Sequence, residues 1–471
     1  MMSSSMHARW SQYRQQAIRI VLAAAVGLVV GSSALAAGSY SVTVLGVLPG
    51  YDHGYGNSVN NAGVAVGHSA DIGADGLFSA SAGTYWATGQ AAQALGPAPG
   101  FVFSSLASLN NRGEAVVSNS NINAGQASGN AALVWSPKTG TRALPSPAGA
   151  VFTTVTGLND SGQAVGWADF ATSRAGLVWS DNGELTVLPS LGEGVQVSSQ
   201  RINNSGEVLV AGAGNGRQLS YVWDAARGYR QLAQPVGMHD SYGYDINDAG
   251  QVVGIAASSL SDGSPYHAVL WSGLNDALDL GGLPGATNNY AMAINAASAV
   301  VGQSWEAAGI RSFIWTASEG MRNLALLIDG VDPLAGRLGS LAMRDINDGG
   351  QILGSALIDG QRRALLLSPV PESGTALMLA MGLTPVACIV RRREAVGCRH
   401  RAPNRKCEQA LVKARTAAWI FLNRLPVANC AVKLSKLITD NGSQFADRFT
   451  SRKRAPKGRL KLYEVPIPPD C

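Results

Sequence analysis

The sequence predicts an all-β protein, a seven-bladed β-propeller closed by its N-terminal strand and followed by a helical or disordered C-terminal tail. Three observations support this prediction. A short turn unit occurs seven times, an apolar strand ending in Trp follows it six times, and the two ends of the repeat array are complementary. Repeats of about 20–50 residues are typical of propellers and solenoids.

The turn unit predicts a β-hairpin in every repeat. In the clearest copy, one strand is expected to end at Ile246, the turn covers Asn247 to Gly250, and a second strand starts at Gln251. Asn bonds to its own turn and Gly supplies positive φ. In the sixth copy Ser298 replaces the glycine, so we expect that hairpin to be the weakest. The asparagines recur every 44 to 52 residues, at Asn60, Asn110, Asn159, Asn203, Asn247, Asn295 and Asn347.

An apolar strand ends 20 to 26 residues after each asparagine, at a Trp in six repeats and at Leu367 in the seventh. A polar turn and a fourth strand follow, and four short antiparallel strands make one propeller blade. The large apolar area of Trp predicts packing between neighbouring sheets. A platform for sugar rings is the alternative. The six are Trp86, Trp135, Trp179, Trp223, Trp271 and Trp315.

The two ends of the array favour a closed ring over an open solenoid. The chain starts with a lone strand at residues 42–45 and finishes with a third strand at Leu367. The first can pair with the last, which would hide both sheet edges. An open solenoid would need polar capping repeats, and none is visible in the sequence.

The repeat resembles that of the bacterial HAF extracellular repeat proteins. Their pattern runs I-N-x-x-G-x-V-V-G, then H-A-F-x-W, then L-G-x-L-P-G. Residues 246–254, 267–271 and 280–285 match it here. The resemblance covers about residues 41–368, which we assign as the propeller domain. It implies an extracellular protein, in a family without an established activity to transfer. The name-giving His survives only at His267, so it performs no repeated chemistry.

Composition divides the chain into an acidic body and a basic tail. Residues 37–390 hold 25 acidic and 14 basic residues, whereas residues 391–471 hold 6 acidic and 19 basic ones. The net charge of +5 therefore says nothing about the partners of the body. All five cysteines lie in the last 84 residues. An exported body without thiols relies on its apolar cores for stability.

The N-terminus predicts an export signal. Arg9, Arg14 and Arg19 precede an apolar run at residues 20–30, and Ala-Leu-Ala follows at residues 34–36. These are the parts of a secretory signal peptide, here residues 1–36. A membrane anchor is the alternative, but the run is short of the ~20 residues that a span needs.

A second sorting signal is predicted at residues 369–393. The motif Val370, Pro371, Glu372 precedes an apolar run at residues 376–390 and three arginines. This resembles the PEP-CTERM signal of Gram-negative bacteria, although Ser373 replaces the second Pro and Pro385 interrupts the run. The resemblance implies a transmembrane helix, an exosortase-type protease as partner, and delivery to the outer surface or the exopolysaccharide matrix.

Residues 394–471 resemble a fragment of a transposase integrase core. The sequence Thr-Asp-Asn-Gly at residues 439–442 places Asp440 where that family has the second acid of a three-acid metal site. The other two acids have no counterpart, and one acid cannot hold the paired metals of phosphoryl transfer. We expect a poorly ordered tail with no functional nucleic-acid binding.

Ligand-binding candidates lie where one blade connects to the next, since these connections surround the channel on one face. His, Asp and Tyr can polarise a substrate or stack on a sugar. The alternative is that the tyrosines fill the channel mouth and the histidines are solvated. No catalytic residue, metal or cofactor is assigned, because the usual motifs are missing. The candidates are Tyr51, His53, Tyr55, His239, Asp240, Tyr242, Tyr244 and Tyr290.

The sequence therefore predicts an exported, non-catalytic propeller that binds or scaffolds extracellular polysaccharide or protein. The alternative is a propeller lyase or hydrolase acting on extracellular polysaccharide. That alternative requires convergent acids or a His/Tyr pair in the channel.

Overall fold

The fold is built almost entirely from antiparallel sheets. The computed structural model describes residues 39–73, 78–95, 103–120, 132–307 and 309–370. These residues form five four-stranded sheets and one eight-stranded sheet, together with a short 3-10 helix, Leu324–Leu327. The eight-stranded sheet unites the first two repeats through a single parallel bridge between Ser81 and Phe103. The prediction of an all-β propeller is confirmed.

Three predicted segments lie outside the described residues. They are the signal peptide 1–36, the sorting signal beyond Val370, and the tail that contains Asp440. Within the described ranges, no helix is long and apolar enough to cross a membrane.

Each repeat contributes strands in the same order. The first strands are β2 (His53–Val59), β6 (Phe103–Leu109), β10 (Phe152–Leu158), β14 (Gln196–Ile202), β18 (Asp240–Ile246), β22 (Asn288–Ile294) and β26 (Gly339–Ile346). The second strands are β3 (Ala65–Ile72), β7 (Ala115–Ser120), β11 (Ala164–Asp169), β15 (Val208–Gly214), β19 (Val252–Ala257), β23 (Val300–Glu306) and β27 (Ile352–Ile358). The third strands are β4 (Phe78–Trp86), β8 (Leu133–Ser136), β12 (Arg174–Trp179), β16 (Arg217–Asp224), β20 (His267–Gly273), β24 (Gly309–Thr316) and β28 (Gln361–Val370). The fourth strands are β5 (Gln93–Leu95), β9 (Gly140–Ala143), β13 (Leu185–Val187), β17 (Gly228–Gln231), β21 (Asp276–Asp279), β25 (Gly320–Asn323) and, for the last repeat, β1 (Ser39–Val44).

The N-terminal strand completes the last sheet, as the sequence predicted. That sheet has the order β1-β28-β27-β26, and β1 runs antiparallel to β28 from Ser39 opposite Val370 to Val44 opposite Leu365. The carboxylate of Asp332 also accepts a hydrogen bond from the backbone N–H of Val42, at 2.7 Å. The pairing leaves β28 without an open edge.

The hairpin asparagines form a closed cycle of hydrogen bonds. The Oδ1 atom of Asn247 accepts the N–H groups of Ala249 and Gln251 within its turn, and five of its counterparts accept the equivalent pair in theirs. In the seventh turn, Oδ1 of Asn347 accepts the N–H of Gln351. Each Nδ2 then donates to the carbonyl oxygen of the asparagine in the next repeat, at 2.9 to 3.1 Å. The last of these bonds runs from Asn347 back to Asn60. The seven repeats are therefore linked in a ring.

Every first strand contains a β-bulge at the same place, three residues before the hairpin asparagine. Strand register shifts there in all seven repeats. A bulge leaves one residue unpaired and changes the direction of its side chain. The seven bulged residues are Asn57, Ala107, Thr156, Gln200, Tyr244, Met292 and Arg344.

The repeated tryptophans pack between sheets. Trp179 and Trp271 are fully buried, and Trp86 is 3% exposed. Each of these three indole N–H groups donates to a backbone carbonyl, at 2.7 to 2.8 Å. Trp179 lies in one cluster with Val116 of the preceding repeat. This geometry contradicts the sugar-platform alternative for the buried rings. Three others are only partly buried: Trp135, Trp223 and Trp315.

Candidate binding site at the central channel

A central cavity lies where the hairpin ends of the first strands meet. It has a volume of about 210 Å³ and is lined by residues from all seven repeats. Three of the seven bulged residues line it, namely Asn57, Met292 and Arg344. Seven charged residues line the cavity: the arginines Arg201 and Arg344, the strand aspartates Asp245 and Asp345, and the hairpin aspartates Asp160, Asp248 and Asp348.

The carboxylates of Asp245 and Asp345 connect neighbouring repeats. Oδ2 of Asp245 accepts the N–H of Ile294 at 3.0 Å, and Oδ2 of Asp345 accepts the N–H of Val59 at 2.8 Å. Burial raises the pKa of Asp245 to about 7, with a lowering influence from Arg201 and a raising one from Asp345. Burial also raises the pKa of Asp345. The charged forms of both groups are therefore disfavoured in the channel.

The two arginines differ in their partners. Nη1 of Arg201 donates to the carbonyl oxygens of Thr156 and Gln200, at 2.8 and 3.0 Å. Arg344 is a bulged residue that is open to solvent, and it makes no hydrogen bond or ion pair with any described residue. Although its side chain is in contact with solvent, partial desolvation by the surrounding protein, followed by the positive charge of Arg362, lowers the pKa of Arg344. Arg344 is thus a cation without a counter-ion in the described structure.

Aromatic side chains gather on the fifth and sixth repeats. The rings of Tyr242 and Tyr244 are 5.2 Å apart, and Tyr290 lies 5.6 Å from both Tyr266 and Trp305. Burial raises the pKa of Tyr244 above its usual range, and the three other tyrosines raise it further. Mutual influence of this kind requires that the four hydroxyls lie close together. We call these five residues the aromatic cluster.

A smaller group forms on the first repeat. Tyr55 stacks on His68 with the ring centroids 4.7 Å apart, and the guanidinium carbon of Arg362 lies 6.0 Å from the Tyr55 ring. Nδ1 of His68 is 3.1 Å from the hydroxyl of Ser105. Burial, followed by the charge of Arg344, lowers the pKa of His68 to about 4. His68 is therefore neutral at ordinary pH and does not add to the positive charge.

The predicted candidates divide into two sets. The structure brings Tyr242, Tyr244 and Tyr290 together, and it places Tyr55 at the position in β2 that Tyr242 and Tyr290 hold in β18 and β22. Tyr55, Tyr242 and Tyr290 each stand five residues before the hairpin asparagine of their repeat. They belong to strands and not to connections, so that part of the prediction is wrong.

The remaining candidates have structural contacts. Nδ1 of His53 accepts the backbone N–H of Arg362 at 3.1 Å. Asp240 is 3% exposed and accepts the N–H groups of Gln218 and Leu260. His239 is exposed, and its carbonyl accepts a bond from Arg217. Tyr51 is half-buried just before β2. These four do not converge with the aromatic cluster.

Sequence reasoning missed several residues of this site: His68, Arg201, Tyr266, Trp305, Arg344 and Arg362. A signal existed for two of them. Trp305 stands outside the recurring tryptophan position, and Arg344 forms, with Asp345, a pair of adjacent charged residues in a first strand. The other four become neighbours only when the ring closes. Among the described residues, no group of three or more His, Cys, Asp or Glu side chains could hold a metal ion.

The fold and this geometry define a β-propeller protein with a polar central cavity and a separate aromatic cluster on two neighbouring repeats. No protein-family model matches the chain, and no curated protein matches it.

Several solved structures are similar in fold. A catalytically inactive virginiamycin B lyase from Staphylococcus aureus, with quinupristin, has 13% identity and a TM-score of 0.43, covering 70% of this chain and 100% of the lyase. The propeller domain of the Trilobed protease from Pyrococcus furiosus has 9% identity and a TM-score of 0.45, covering 67% and 93%. An oligogalacturonate lyase in complex with manganese has 14% identity and a TM-score of 0.45, covering 70% and 91%. Likenesses this distant say nothing about ligand or reaction.

Proposed function

We propose that this protein is an exported, non-catalytic β-propeller that binds an extracellular polysaccharide at the cell surface or in the matrix. The observation that carries the proposal is the aromatic cluster. Trp305 is 44% exposed and touches the half-buried Tyr290. Aromatic faces that are open to solvent are suited to the apolar faces of sugar rings, and the phenol hydroxyls supply hydrogen bonds.

The export part of the proposal rests on sequence features. We propose cleavage after residue 36, residues 41–368 as the propeller domain, and surface delivery by an exosortase acting on the signal at 369–393. A surface protein is the alternative ligand, since exposed aromatic rings also serve protein interfaces. Mass spectrometry of the secreted protein gives its two ends, and retention of residues 394–471 would contradict processing.

Binding is tested with a panel of extracellular polysaccharides by isothermal titration calorimetry. We expect the double variant Tyr290→Ala, Trp305→Ala to bind at least roughly tenfold more weakly than wild type, because two ring contacts are lost. Leu326→Ala is the control, since Leu326 is 81% exposed in the 3-10 helix and lies outside the cluster. Melting temperatures establish that each variant is folded. Unchanged affinity in the double variant would refute the proposed surface.

One observation favours the enzymatic alternative. A carboxyl group whose pKa is about 7, as for Asp245, is suited to general acid–base catalysis. Its bond to the N–H of Ile294 gives it a structural role instead. The length of the polymer after prolonged incubation with the protein distinguishes catalysis from binding. Shortening of the polymer by wild type, abolished in Asp245→Asn, would establish the enzyme.

A further inference from the structure

A second cavity lies between the first two repeats, at the point where their sheets join. The bridge between Ser81 and Phe103 unites these two sheets, and no other pair of repeats shares a sheet among the described strands. The cavity has a volume of about 170 Å³, and we call it the Ser118 pocket. It is lined by His68, Phe78, Phe103 and four serines, among them Ser81, Ser105 and Ser118.

Small side chains leave the space that forms the Ser118 pocket. Ser105 stands five residues before its hairpin asparagine and pairs with Ser118 on the next strand. The fifth and sixth repeats carry Tyr242 and Tyr290 at the position of Ser105. The first strands of all repeats run in the same direction, so the pocket lies at the same level of the propeller as these tyrosines.

Aromatic rings form one side of the Ser118 pocket. The ring of Phe78 stands edge-on to that of His68, with the centroids 6.1 Å apart, and Tyr55 stacks on His68. Phe103 is 5% exposed, whereas Phe78 is 41% exposed. A partly exposed ring at the edge of the pocket gives a ligand an apolar surface that is accessible from solvent.

Hydroxyl groups supply the polar side. The Oγ atom of Ser105 lies 3.1 Å from Nδ1 of His68 and accepts a hydrogen bond from Nδ2 of Asn57 at 3.0 Å, so its position is fixed. Ser118 is half-buried, and its hydroxyl bonds to no other described residue. A hydroxyl group can both donate and accept a hydrogen bond, as the hydroxyl groups of a sugar do.

The Ser118 pocket carries no net charge. None of the residues that line it is acidic or basic apart from His68, which is neutral at ordinary pH. Enclosing an ionised group without a partner is unfavourable, so the pocket is suited to an uncharged ligand. Its volume is below the ~300 Å³ at which sites for drug-sized ligands begin, which leaves room for a single small unit.

We propose that the Ser118 pocket binds one uncharged sugar unit of the extracellular polysaccharide. This inference rests on the proposed function and narrows it to polymers that contain neutral sugars. The apolar face of the sugar lies against the phenylalanine rings, and its hydroxyl groups exchange hydrogen bonds with Ser118.

The test uses a panel of neutral tetrasaccharides built from glucose, mannose or galactose, with isothermal titration calorimetry as the measurement. We expect Ser118→Leu to bind at least about tenfold more weakly than wild type, because the larger side chain fills the pocket and the hydroxyl is lost. The affinity of wild type should be the same at low and high salt, since the bound unit is uncharged.

Ser272→Leu is the matched control. Ser272 is exposed in β20, so the same substitution should leave binding unchanged there. Ser118→Ala removes only the hydroxyl and serves as the variant should Ser118→Leu fail to fold. The NMR signals of the His68 ring in wild type give a second readout, because a sugar in the pocket changes their chemical shifts.

The outcomes separate this inference from the proposed function. Full affinity in Ser118→Leu, with binding still dependent on Tyr290 and Trp305, would overturn the Ser118 pocket and leave the proposed function intact. Unchanged His68 signals in saturated wild type would also overturn the pocket. Absence of binding to the tetrasaccharides and to every extracellular polysaccharide tested would overturn both.

Discussion

At the scale of single residues, hydrogen-bond donors decide which side chains can hold the ring. All seven hairpin positions carry Asn and none carries Asp. Either residue can accept the two N–H groups of the turn, but only Asn can also donate from Nδ2 to the next repeat. The sequence shows that the asparagine is repeated. Its role as a donor between repeats is visible only in the structure, where Asn347 donates to the carbonyl oxygen of Asn60.

The titration of Asp245 gives a prediction at the same scale. Its folded pKa of about 7 is above the usual 3.8, so it favours the folded state below pH 4 and loses that contribution as pH rises through 7. In Asp245→Asn the amide oxygen can still accept the N–H of Ile294, and the pH-dependent loss of stability is removed. Urea unfolding from pH 4 to 8 should therefore show wild type losing stability relative to the variant.

The control for this prediction is Asp262→Asn. Asp262 is exposed, and its pKa is lowered by the side chain and backbone N–H of Ser264, so its contribution is lost only as pH falls. Its profile should parallel wild type above pH 5. Parallel profiles for Asp245→Asn and wild type would contradict the raised pKa of Asp245.

At the scale of elements, the glycine that ends the turn unit lies where the first strand comes close to the second. A Cβ atom on Gly254 would lie 2.1 Å from the carbonyl oxygen of Tyr242 and 2.8 Å from Cα of Gly243. The first strand thus approaches the second too closely for a side chain. Five repeats share this feature, at Gly67, Gly166, Gly254, Gly302 and Gly354.

Gly254→Ala should destabilise the fold by about 3 kcal/mol, because the added methyl meets backbone that cannot move without disturbing the bulge. Gly273→Ala is the control. A Cβ at Gly273 meets nothing within 4 Å, so a change within about 0.5 kcal/mol is expected. Chemical denaturation measures both. Equal effects of the two substitutions would show that the close approach does not matter.

The weakened sixth hairpin remains a prediction. Ser298 adopts a φ of 60°, the left-handed conformation that glycine tolerates best, and its N–H still bonds to the carbonyl of Asn295 at 3.0 Å. Its hydroxyl donates to Gln251 of the preceding repeat at 2.7 Å. The turn therefore forms, with backbone strain offset in part by a new contact between repeats.

At the scale of the whole molecule, two sets of contacts close the ring. One is β1, which completes the sheet of the last repeat, and the other is the asparagine cycle. Both join residues separated by almost the whole repeat region. Loop closure over such distances costs conformational entropy, which the buried contacts must offset.

A chain that starts at residue 46 lacks β1 and should melt at a lower temperature and aggregate, because β28 becomes an exposed edge. A chain that starts at residue 37 is the reference. A synthetic peptide of residues 37–45 should restore the melting temperature by adding the missing strand. Light scattering and calorimetry follow both effects. An unchanged melting temperature after truncation would show that β1 is dispensable for closure.

The sequence alone determined the repeat, the hairpin and the closing strand, because turn chemistry and apolar periodicity act over a few residues and recur. It placed the hairpin boundaries of β18 and β19 within one residue. The channel was decided only by the tertiary structure. Arg344, Tyr244 and His68 lie on different repeats, and their contacts depend on the ring and on bulges that set which side chains face inward. Local patterns carry no information about that geometry, since it arises from closing the chain on itself.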